Sequence, residues 1–97
     1  MKKKFKNLKD VRKSIDSVDA RLVKLIGERE LYAREAVKFK TDRSQIIDRK
    51  RINTVLSRVK KLSKKYKVSG LTVEKIWKLM IQNFIILEKK LFKKQKK

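Results

Sequence analysis

The chain has 97 residues, the length of one domain, with 31 Lys and Arg against 10 Asp and Glu and a formal net charge of +21. Hydrophobic residues make up 40%, too many for a disordered tail, and with no Pro and two Gly few positions break a helix. Cys and His are both absent, which excludes disulfides, thiol nucleophiles, imidazole bases and the usual zinc sites. Any catalysis has to rest on charge placement and shape, with no metal and no cofactor expected.

Residues 1–7 form a basic tail, MKKKFKN, and carry +4; the last nine residues carry +6, leaving +11 for residues 8–88. Lys runs at chain ends read as solvated tails that attract polyanions in a salt-dependent way. From Leu8 an apolar seam begins: Leu8, Val11, Ile15, Val18, Leu22, Leu25, Tyr32, Ala36 and Phe39 recur at spacings of three and four, with one gap. The seam predicts a helix over 8–40, roughly 50 Å long. So long a helix in so short a chain needs a partner along its length, and a second copy of the chain is the simplest one. Residues 41–47, with Asp42, Ser44 and Gln45, read as a loop. A second helix is expected from about Asp48 to Tyr66, with Ile52, Val55, Leu56, Val59 and Leu62 on its apolar face. Ser69 and Gly70 mark a turn. Thr72 is the expected N-cap of a third helix over about 73–92, with Glu74 in its first turn. That helix carries the stripe Val73, Ile76, Trp77, Met80, Ile81, Phe84, Leu87 and Leu91. Residues 93–97 form a basic C-terminal tail, so the folded domain is expected to span 8–92. No stretch approaches the ~18 apolar residues of a membrane span, and the N-terminal lysines lack the apolar run of a signal peptide. A cytoplasmic protein with no membrane partner is expected.

Two charged residues occupy apolar seams. Arg29 fills the gap between Leu25 and Tyr32, and Glu88 lies on the stripe of Trp77, Ile81, Phe84 and Leu91. Burying a charge costs several kcal/mol unless it is paired. The two residues are therefore either a structural pair or parts of a polar pocket for an anionic ligand. Lys40 supports the pocket. It follows Arg29 by 11 residues, about 1100° on a helix, or roughly 20° past three full turns and about 16 Å along the axis.

With these residues placed, the chain resembles the all-helical, type II chorismate mutase family over residues 8–92. The segment LKDVRKSIDSVDARLVKLIGERELYAREAVKFK has the family frame R-x-x-I-D-x-x-D-x-x-L-v-x-L-i-x-x-R, followed after ten residues by Lys. RINTVLSRVKKL is similar to the family's R-E-x-x-x-L-x-R-V helix start, and NFIILEKKLF fits its third helix. The resemblance implies an all-α fold: three-helix chains with a long N-terminal helix, intertwined as a homodimer with two active sites. It implies that Arg29, Lys40, Arg51 and Glu88 share a site that Arg12 of the partner subunit completes. The spacing agrees, because Arg12 and Arg29 lie 17 residues apart, about 25 Å on one helix, too far to grip one small molecule from the same helix.

The implied substrates, chorismate and isochorismate, are dicarboxylates that react by pericyclic shifts. These need a folded substrate and donors aimed at charge developing on the ether oxygen. Arg12 and Arg29 would hold carboxylates through their bidentate forks, with Arg51 helping to close the site. Lys40 would donate to the ether oxygen. Glu88 can donate to the same oxygen only in its protonated form.

The chain departs from the mutase pattern at Ile52, where mutases carry a Glu that accepts from the ring hydroxyl. It departs again at Phe84, where many have a small polar residue, and at Glu88, where many have Gln. The run FKTDRSQIIDRKRI and the aromatic-Ile-x-x-Glu run from Phe84 to Glu88 resemble the isochorismate pyruvate lyases of the same fold. These departures lean towards the lyase reaction, isochorismate to salicylate plus pyruvate. Chorismate to prephenate is the alternative. Ile52 and Phe84 also sit at plausible core positions, so packing accounts for both as well. The rival class is a non-enzymatic basic helical module for nucleic acid or an acidic partner, and nucleic acid is not the expected partner. Such a module would lose function on deletion of the Lys tails and tolerate Arg29→Ala; the enzyme would do the reverse.

Overall fold

The computed structural model describes residues 4–95, so the outermost parts of both expected tails, residues 1–3 and 96–97, lie outside the described residues. Three α-helices follow one another: α1 (Leu8–Val37), α2 (Arg49–Lys65) and α3 (Gly70–Gln95), with a 3-10 turn at Arg43–Gln45 between the first two. No strand occurs among the described residues. The expected all-α, three-helix chain is what forms. No helix among the described residues is long and apolar enough to cross a membrane.

The chain divides into two compact units, Met1–Tyr32 and Ala33–Lys97. The first is the body of α1. Asn7 starts the helix, its Oδ1 accepting from the Asp10 amide at 2.9 Å, while Asp10 Oδ2 accepts from the Lys6 amide at 3.2 Å. The first bond satisfies an amide that the first turn leaves without a helical partner, and the second ties down the chain just ahead of the helix. A single helix cannot bury its own seam, and Leu22 and Leu25 are 50% and 58% exposed.

The second unit holds the end of α1, the 3-10 turn, α2 and α3. Its tightest core is Val37, Ile46 and Phe92, with Ile85 and Leu91 packed against it. This cluster explains why α1 stops at Val37 and not at residue 40. Burying Ile46 against Val37 requires the chain to turn back within nine residues. The amides of Lys38, Phe39 and Lys40 accordingly donate three residues back, to Glu35, Ala36 and Val37, the tighter winding of a helix end. The rotational argument that ran the helix on to Lys40 therefore does not hold beyond Val37. The next turn is fastened by a capping box: Asp42 accepts from the Ser44 amide, and Gln45 Oε1 accepts from the Asp42 amide at 3.0 Å. Asp48 caps α2, accepting from the Arg51 amide at 3.0 Å.

α2 packs on α3 through a tight corner. Ser63 is buried and donates its hydroxyl to the Lys60 carbonyl at 2.6 Å. α3 begins at Gly70, earlier than expected, because Ser69 and not Thr72 is its cap: Ser69 Oγ accepts from the Thr72 amide at 3.3 Å. Thr72 is already inside the first turn. At its far end α3 runs through Gln95, so residues 93–95 are helical.

The α2–α3 corner holds one backbone strain. Lys67 has φ 56°, and the Val68 amide donates to the Ser63 carbonyl at 2.8 Å, closing α2 in a Schellman-type cap. A side chain in this left-handed position costs roughly 1–2 kcal/mol, a cost that Gly escapes. Lys67→Gly is therefore expected to stabilise the protein by about 1 kcal/mol and raise Tm by roughly 4–8 °C, read by thermal denaturation.

Candidate active site

Glu88 sits on α3 one turn after Phe84 and one turn before Phe92, both of which are buried. The i, i+4 spacing puts all three on one face, so the core that buries the two aromatics draws the carboxylate inward as well. Its side chain is 12% exposed. Lys40, three residues past the end of α1, answers it: Nζ donates to Glu88 Oε1 at 3.0 Å, with the lysine side chain 22% exposed. The charge on the α3 seam is thus paired, and its partner is Lys40. An ammonium has three donors, so one bond to Glu88 leaves others for a ligand.

Around Lys40 the turn and the start of α2 form a shallow depression, lined also by Ser44, Gln45, Ile47, Asp48 and Arg49. Sequence reasoning did not place Asp48 and Gln45 beside Lys40. The signal was present in their spacing: a Gln three residues after Asp42, and an Asp just ahead of the basic start of α2. It pointed to caps, and both residues do act as caps.

The other expected site residues fall as follows. Arg51 is exposed in the first turn of α2, and Ile52 beside it is half-buried. Phe84 is 8% exposed, a core position. Arg12 is exposed and Arg29 half-buried, both on the α1 body that forms the first unit. The structure brings Lys40 and Glu88 into contact, and it places Arg51, Ile52 and Phe84 in the same compact unit as that pair.

The site thus combines a mostly buried Lys–Glu pair with an adjoining polar depression, in a helical chain that has no Cys or His. Residues 11–89 match the family model of chorismate mutase type II. A chorismate mutase of Methanocaldococcus jannaschii is 30% identical over 86 residues, covering 88% of this chain and 87% of that protein. The chain belongs to the chorismate mutase type II family, a family of enzymes.

Removing one partner of the pair strands the other in a largely dry position. A double-mutant cycle in urea with Lys40→Met and Glu88→Gln is expected to give a coupling of about 1–3 kcal/mol, the double variant losing less stability than the two single losses added together.

Proposed function

We propose that the protein is a chorismate mutase that converts chorismate to prephenate. The observation that carries this reading is the Lys40–Glu88 pair, a donor held in place within a domain that matches the family over most of its length. The named relative supports the mutase over the lyase, the reaction towards which Ile52 and Phe84 lean; no comparison favours isochorismate.

The rearrangement breaks the ether C–O bond as a C–C bond forms, within one molecule and without a nucleophile. What the protein supplies is a compact substrate conformer and donors for the negative charge that gathers on the ether oxygen. In this reading Lys40 gives one N–H to that oxygen while keeping Glu88. Arg29, and Arg12 of the partner subunit, grip the two carboxylates, and Arg51 closes over the substrate. Ile52 contacts the ring without engaging its hydroxyl, and Phe84 backs the site from the core. The exposed seam of α1 is covered by a second copy, so the working unit is a homodimer.

Two outcomes test this. Purified protein given chorismate and isochorismate separately is expected to form prephenate faster than salicylate and pyruvate, and Arg29→Ala to lose that activity. Salicylate and pyruvate in excess would instead make the enzyme a lyase and give Ile52 a functional meaning.

The shared site has its own test. Arg12→Ala and Arg29→Ala are each expected to be inactive alone. When the two are unfolded and refolded together, random pairing makes half the dimers mixed, and each mixed dimer carries one intact site. Activity should recover to roughly a quarter of the native value. No recovery would place Arg12 and Arg29 of the same chain in one site.

A further inference from the structure

Gln95 lies in the last turn of α3 and reaches out of its own helix. Its Nε2 donates to the Val37 carbonyl at 3.0 Å and to the Lys40 carbonyl at 3.4 Å. The first is the carbonyl at the end of α1, one of the groups a helix C-terminus leaves without a helical partner. The second belongs to the residue whose side chain pairs with Glu88. The Lys40 amide donates to the same Val37 carbonyl at 3.1 Å. Both polar groups of the Lys40 main chain are therefore tied to one small network around Gln95.

The geometry of α3 makes this a two-point grip. Gln95 follows Glu88 by seven residues, about 700° of helix, so the two share a face and stand about 10 Å apart along the axis. Phe92, buried between them on that face, fixes their separation by packing against Val37 and Ile46. One end of the face takes the Lys40 ammonium and the other takes its carbonyl. A lysine has a flexible four-carbon stem, so holding its ammonium in one place requires holding its backbone. We propose that Gln95 is a positioning residue for Lys40: it anchors the turn so that the ammonium is presented to the substrate without reorganisation.

This rests on the mutase reading for its consequence and on the hydrogen bonds for its mechanism. It also revises the expectation for the C-terminal Lys run. Deleting residues 93–97 removes Gln95, so such a deletion is no longer neutral for the enzyme.

The test uses the full chain with Gln95→Leu, which keeps the bulk and loses the donors, and Gln95→Lys, which keeps an N–H donor of similar reach. Gln95→Leu is expected to lower kcat for chorismate by roughly tenfold while KM changes less than about twofold. Gln95→Lys is expected to restore most of the rate. Amide exchange at Lys40, followed by NMR without substrate, should accelerate in Gln95→Leu and return towards native in Gln95→Lys. A native kcat in Gln95→Leu overturns the proposal, as does a rate loss that follows Tm with Lys40 exchange unchanged. If the native protein shows no mutase activity but Lys40 exchange still responds, the anchor stands and the mutase reading falls.

Discussion

The structure depends on the burial of Ile46 against Val37 and Phe92. A chain with no Pro and two Gly has little in its local sequence to end a helix. Left to propensity, α1 would run on past Lys40. The apolar contact across the turn ends it at Val37, tightens the next three residues and returns the chain to α3. Burying an aliphatic side chain contributes about 1.5–3 kcal/mol, enough to outweigh a few residues of helix propensity. Lys40 reaches Glu88 because the chain turns there, so the packing of three apolar side chains sets the geometry of the polar pair.

Much of this was legible in the sequence, and the reasons are specific. The α1 seam and the stripe from Val73 to Leu91 repeat at helical spacing over several turns, and periodicity that long points to one element type. Arg29 and Glu88 stood out because they interrupt such stripes. Helix ends were less legible, since they are decided by tertiary contacts. Val37 ends α1 through a contact with a residue nine positions later. Ser69 wins the cap of α3 because its hydroxyl meets the Thr72 amide, although Thr72 is as good a capping type. Gln95 looked like part of a Lys tail because nothing local marks it; its role appears only once α3 is laid beside the end of α1. The choice between reactions was the least legible part. Ile52 and Phe84 both lie where packing alone explains an apolar residue, so they carried less about chemistry than their departure from the mutase pattern suggested.

The composition and the chemistry constrain each other. Without Cys or His the chain has no ordinary nucleophile or imidazole base, yet the rearrangement proposed for it asks for neither. It asks for cations at fixed positions, and a chain with 31 Lys and Arg has these in excess. The difficulty is selectivity among them: a surface lysine is mobile and fully hydrated, which makes it a poor electrostatic catalyst. Lys40 differs from most of its neighbours by being drawn inward and held by a carboxylate.

In the proposed reading Glu88 has a part to play as the partner of Lys40. A chain of net charge +21 attracts a dianion over the whole of its surface, and such long-range attraction speeds encounter but does not orient. Orientation needs one cation distinguished from the rest. A carboxylate on the buried face of α3 does this by selecting Lys40 and taking one of its three donors, so that the remaining donors project in a limited set of directions. The ion pair costs desolvation on both sides, and its yield in stability is correspondingly modest. In the proposed mutase reading its value would lie in preorganisation: the ammonium is already partly dry and already paired before substrate arrives, and a dipole that does not have to turn at the moment of reaction is the kind that lowers a barrier.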